Sequence, residues 1–130
     1  INAIRQPIES QHFDSNWPKP DKKGLRRARI LRGCSRIDAF LNKTYFKTSE
    51  LLGISHTGYI TTAYLEAFCL YNSSPIVEIM THPGYIKGLD NIHTRLAEHR
   101  EQELEALCSE QTKALFKRPS IIQLVHYGQI

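Results

Sequence analysis

Ile76-Val77-Glu78-Ile79-Met80-Thr81-His82-Pro83-Gly84 is the stretch that decides the fold. Its first five residues are mostly apolar and partly β-branched, and a Pro-Gly pair stops the run. It therefore reads as a strand covered on both faces. Such strands belong to parallel sheets joined by helical crossovers. Working upstream, Thr61 or Thr62 caps a helical pattern that runs to about Tyr71 and breaks at Asn72-Ser73-Ser74-Pro75. Before it, residues 50–55 form a short apolar run that ends in the turn His56-Thr57-Gly58. Earlier still, a helix over 21–33 continues or restarts through 35–46. A short strand over 1–6 ends at Pro7, which cannot donate to a ladder. Downstream lie an acidic helix over about 92–107 with Leu96, Leu104 and Leu107 on one side, a short helix over about 109–116, and a last strand over 121–125. This alternation is that of an α/β protein with a parallel sheet. About four strands alternating with helices fall short of the roughly eight that close a barrel, so the count fits a small open sheet or half a barrel.

The chain's 130 residues, 41% hydrophobic with a net charge of +4, suffice for one core and exclude disorder as the main state. No apolar run is long enough to span a bilayer, and no leader pattern opens the chain, so no membrane is expected and the reading is cytoplasmic. Three scattered cysteines (Cys34, Cys69, Cys108) fit reduced thiols, with Cys69 and Cys108 expected in the core. The start at Ile1, inside a strand pattern, is what a piece of a longer polypeptide would show.

Charge is uneven. Between Lys19 and Arg36, eight cations face only Asp21. A run of this density suits nucleic acid or an anionic surface. Yet Leu25, Ile30, Leu31, Ile37, Phe40 and Leu41 recur along it at loosely helical spacing, as in a helix with one buried face and a solvated basic side. With no aromatic platform, Gly-rich loop or zinc pattern beside it, the solvated helix is the better reading, and nucleic acid is not the expected partner.

Alternation along the strand puts Ile76, Glu78, Met80 and His82 on one face. A carboxylate at Glu78 among apolar neighbours calls for a partner, and Arg5 is the cation best placed to supply one. His82 stands where the strand ends, and in parallel α/β folds ligands and catalytic groups collect at such ends. Pro83 stiffens the backbone after it, and Gly84 permits a tight turn or close substrate approach. An imidazole there suits general acid or base work, although a lone histidine at a strand end is more often an ordinary satisfied polar group.

The segment "Val77-Glu78-Ile79-Met80-Thr81-His82-Pro83-Gly84-Tyr85" resembles the Glu-x-Met-x-His-Pro-Gly-Tyr segment of the YdjC-like carbohydrate deacetylases. "Ile4-Arg5-Gln6-Pro7-Ile8-Glu9" is similar to that family's Ile-Arg-x-Pro-x-Glu segment, and "Arg100-Glu101-Gln102-Glu103-Leu104-Glu105-Ala106-Leu107" to its Arg-x-x-Glu-Leu-x-x-Leu helix. "Leu52-Gly53-Ile54-Ser55-His56-Thr57-Gly58" is a looser match between them.

The resemblance implies the C-terminal half of an irregular (β/α) barrel, with residues 1–130 as one portion of a single deacetylase domain. It implies a metal-dependent hydrolase acting on N-acetylated sugars or short chitin-type oligosaccharides. In that family an Asp-Asp motif and two histidines hold a divalent metal, magnesium or zinc, and all precede the Ile-Arg-x-Pro-x-Glu segment. None is present here, so this chain alone is expected to bind no metal and to be inactive. His82 and Arg5 carry over as catalytic, the first as general acid toward the leaving amine and the second as the residue orienting a carboxylate. Glu78, Gly84 and Tyr85 carry over as substrate-binding. The six histidines form no metal-ligand pair by spacing. An exposed edge in a half-barrel leaves room for a homodimer. The competing reading is a non-enzymatic interaction domain that uses the basic 19–36 segment for an anionic partner.

Overall fold

A computed structural model of the chain describes residues 8–9, 15–42, 50–87, 96–118 and 122–129. In order these form helix α1 (Lys22–Asn42), strand β1 (Glu50–Leu52), helix α2 (Thr62–Tyr71), strand β2 (Val77–Ile79), helix α3 (Ala97–Cys108), helix α4 (Glu110–Phe116) and a 3₁₀ turn (Tyr127–Gln129). The two strands pair in parallel, Glu50 opposite Val77, Leu51 opposite Glu78 and Leu52 opposite Ile79. Parallel neighbours require a crossover, and α2 provides it. It starts where expected: the Thr61 hydroxyl accepts from Tyr64 N at 3.2 Å. Asp21 does the same for α1, its carboxylate accepting from Gly24 N at 3.0 Å. That bond holds the Asp21 carboxyl below the usual carboxylate range.

Both faces of the sheet are covered, as the sequence of β2 requires. Leu51, Ile54 and Met80 pack with Ala28 and Leu31 of α1. On the other face Leu52, Val77 and Ile79 meet Tyr64, Leu65 and Phe68 of α2, with Leu107 and Phe116 closing the layer. Trp17 completes this larger cluster, its ring edge-on to Tyr64 at 5.5 Å. Fully burying one such aliphatic or aromatic side chain contributes about 1.5–3 kcal/mol, so these two clusters carry the described fold.

Several expectations are corrected. The basic segment is one continuous helix, and four of the six residues of its expected apolar face, Ile30, Ile37, Phe40 and Leu41, are exposed, while Leu25 and Leu31 are half-buried. The side that meets the body is instead Gly24, Ala28 and Leu31, because α1 runs against the backbone of the 53–58 turn. A Cβ at Gly24 would stand 2.3 Å from Ser55 O, so only small residues fit the contact. Residues 122–125, expected as a strand, form none. They line, together with Val77, Glu78 and Ile79 of β2, a cleft of about 630 Å³ and make no ladder with that strand. The expected first strand lies outside the described residues. Among those described the sheet has two strands, which supports the α/β class. Cys108 is exposed while Leu107 beside it packs inward; Cys69 is half-buried against the core, where burial raises its thiol pKa. No helix among the described residues is long and apolar enough to cross a membrane.

Candidate active site

Two loops leave the carboxyl ends of β1 and β2, and buried glutamates hold both. After β1 the chain turns through 53–58 with left-handed glycines at both ends, Gly53 (φ +99°) and Gly58 (φ +87°). Residues 51–58 are all buried, so their amides need partners. Glu9, 1% exposed, accepts from Gly53 N and Ser55 N, both at 2.9 Å, one on each carboxylate oxygen. Arg32 of α1 donates to the Glu9 carbonyl and so ties the helix to the same corner. Within the turn, the Ser55 hydroxyl lies 2.9 Å from His56 Nδ1, and His56 Nε2 lies 2.9 Å from the Pro18 carbonyl. A carbonyl only accepts, so Nε2 carries the proton and Nδ1 accepts from Ser55. Burial is the largest influence on His56 and lowers its pKa. This serine–histidine contact is not a nucleophile with its base. Both side chains are sealed from solvent, and the proton-bearing nitrogen is committed to a carbonyl.

The second loop is gripped by α3. The extended chain of β2 continues past its last strand residue. Met80 N still donates to Leu52 O at 2.8 Å, and then β1 runs out. Beyond that point alternate amides turn to α3. His82 N donates to Glu103 Oε2 at 2.5 Å, Gly84 N to the Arg100 carbonyl at 3.2 Å, and Ile86 N to Glu101 Oε1 at 2.9 Å. The helix thus takes over the edge that β1 vacates. Glu103 (1% exposed) also reaches the first loop, its Oε1 accepting from Gly58 N at 2.9 Å and Ile60 N at 3.4 Å. His99 closes the same corner, its ring tilted 46° against that of Tyr59 with centroids 4.5 Å apart and pressed against Gly58. His82 Nδ1, His99 Nδ1 and Arg100 Nε are buried with no hydrogen-bond partner among the described residues.

The family model described as YdjC-like protein matches residues 1–118. The chain belongs to the YdjC-like family. That family is associated with carbohydrate deacetylase-like function. Comparisons with curated proteins and with solved structures gave no match.

In this YdjC-like chain, His82 sits half-buried at the carboxyl end of β2, as expected of the strand pattern. Gly84 lies against Arg100: a Cβ there would stand 3.1 Å from Arg100 Nε, so the glycine admits the guanidinium. Tyr85 is exposed (74%). Glu78 is half-buried in β2 and lines the cleft at the sheet's outer edge, a cleft that includes neither His82, Gly84 nor Tyr85. Four residues along an extended strand put Glu78 about 13 Å from His82 by backbone position. Arg5 lies outside the described residues, and with it the expected Arg5–Glu78 pair. No group of three His, Cys, Asp or Glu among the described residues could hold a metal ion. Glu9, Arg100 and Glu103 carry no role in the sequence reading, though all three stand in the quoted segments. The signal for Glu103 was its place on the buried stripe, seven residues after Leu96 and four before Leu107.

Proposed function

We propose that this chain is the C-terminal half of a (β/α)-barrel hydrolase that removes acetyl groups from N-acetylated sugars or short chitin-type oligosaccharides. The carrying observation is the His82 strand end: a half-buried imidazole on a backbone fixed by α3, with a glycine and an exposed tyrosine immediately after it. On this reading water adds to the acetyl carbonyl, and His82 gives a proton to the sugar nitrogen as the carbon–nitrogen bond breaks, releasing acetate and the free amine. Unprotonated, that nitrogen is a poor leaving group, and general acid catalysis of this kind typically contributes about 10²–10⁴-fold. Tyr85 offers the sugar an exposed ring and hydroxyl, and Gly84 brings the Arg100 guanidinium against the same turn. Arg5 orients a carboxylate of the site.

The divalent metal that the resemblance implies finds no ligand set among the described residues, and no step here runs through one. Its ligands on this reading precede residue 1. The test is to incubate the product of the complete reading frame, with magnesium or zinc, with N-acetylglucosamine oligomers and to look for the free amine by mass spectrometry. Oligomers that keep every acetyl group under all conditions would rule the proposal out.

A further inference from the structure

We infer that Glu103 is a positioning residue that sets where His82 stands, acting through the backbone of two loops at once. The inference rests on the proposed role of His82 as proton donor. Its basis is a matter of hydrogen-bond capacity. The Glu103 carboxylate faces three backbone donors, Gly58 and Ile60 on one oxygen and His82 on the other. Only a side chain that accepts on both ends satisfies all three. A glutamine of the same length presents an NH₂ on one end, and whichever way it turns, that NH₂ meets a backbone N–H. Satisfying one loop then abandons the other. The contacts span 45, 43 and 21 residues of sequence, so no local structure substitutes for them.

The neighbouring contacts make this carboxylate the pivot. Gly84 and Ile86 are held by Arg100 and Glu101, but those contacts fix the loop after the turn. Among the described α3 contacts, Glu103 alone bonds the residue that bears the imidazole. It also bonds Gly58, whose left-handed backbone packs on Leu96 and His99. The side chain therefore registers the loop after β1 against the loop after β2. Displacing a reacting group by about 1 Å costs as much as 10²-fold in rate, even when the substitution lies away from the chemistry.

The test has two arms. On the chain itself, long-range scalar couplings between the Glu103 carboxylate carbon and the amide nitrogens of His82 and Gly58 report both bonds in the wild type. Both couplings are expected, and loss of either in a folded sample overturns the inference whether or not the protein is a deacetylase. On the complete enzyme, Glu103→Gln is expected to lower kcat by on the order of 10²-fold per folded molecule, with KM changed less than about threefold. Glu103→Asp keeps two acceptors on a shorter arm and should fall between. A merely structural glutamate would lower the folded fraction and leave kcat per folded molecule near wild type, and that result would overturn the proposal. The His82→Ala enzyme separates the two ideas. If it is inactive while Glu103→Gln is normal, positioning fails and the His82 reading stands; if it is active, the His82 reading fails.

Discussion

Gly53→Ala is the substitution whose effect the geometry specifies most fully. Gly53 follows β1 directly, with φ at +99°, and its backbone N–H is held by Glu9. A Cβ at this position would lie 2.5 Å from Met80 O and 3.3 Å from Met80 N. A comfortable carbon–oxygen contact is about 3.3 Å, so the two backbones must separate by roughly 0.8 Å. Both partners are main chain, and Met80 is bonded to Leu52 at 2.8 Å, so no flexible side chain absorbs the shift. Left-handed backbone costs a non-glycine residue about 1–2 kcal/mol, and overpacking of this kind about 1–3 kcal/mol more. The sum, about 2–5 kcal/mol, corresponds at this chain length to a fall in Tm of roughly 8–20 °C. Thermal and urea unfolding followed by circular dichroism measure it. Gly33→Ala supplies the internal standard: it lies in the middle of α1 with nothing within 4 Å of the added methyl. It should stabilise by about 0.5–1 kcal/mol through helix propensity alone. A Gly53→Ala protein within about 0.5 kcal/mol of wild type would refute the described approach of the two loops.

The sealed His56 imidazole makes stability depend on pH. Its pKa is lowered on folding, against about 6.5 in the unfolded chain, so the unfolded state binds the proton first on acidification. The contribution is fully present above pH about 6.5 and is lost as pH falls from there toward the folded value, by at most about 1.4 kcal/mol per pH unit. Urea titrations of wild type and His56→Gln between pH about 7.5 and 5.5 isolate this term, and identical pH dependence in the two proteins would contradict it. The outward face of α1 predicts a contrast between two apolar truncations. Phe40→Ala, at a site 81% exposed, should change stability by less than about 0.5 kcal/mol, whereas Leu65→Ala in the larger cluster should cost about 2–5 kcal/mol. Equal losses in a denaturant series would mean that α1 is seated the other way round.

What the sequence disclosed and what it hid follow from the kind of contact involved. The run Ile76–Met80 was legible as a doubly covered strand because both faces demand apolar side chains. Thr61 was legible as a cap because capping is local chemistry. The seat of α1 was not. Hydrophobicity favours burying Ile30, Ile37, Phe40 and Leu41, but the helix approaches the Ser55 backbone so closely that Gly24 and Ala28 take the contact, and smallness outweighs apolarity there. The 121–125 pattern carries strand propensity, yet a strand exists only against a paired edge, and residues 122–125 pair with none of the described strands. Glu9 and Glu103 were hidden for another reason. Their partners are backbone amides up to 46 residues away, and any residue supplies an amide, so nothing in the partner's identity marks the pairing. His82 was visible by its place at a strand end; the residues that hold it were visible only as unexplained members of the resembling segments.

The most direct measurement is the rate of acetate release from N-acetylglucosamine oligomers by the complete gene product, wild type beside His82→Ala. Because Glu103 grips the backbone amide and not the ring, the alanine variant keeps that bond and should fold normally. Steady release by the wild type is expected, with a loss of about 10²–10⁴-fold in the variant and an unchanged circular dichroism spectrum. Release by His82→Ala at the wild-type rate, or none by the wild type, would contradict it.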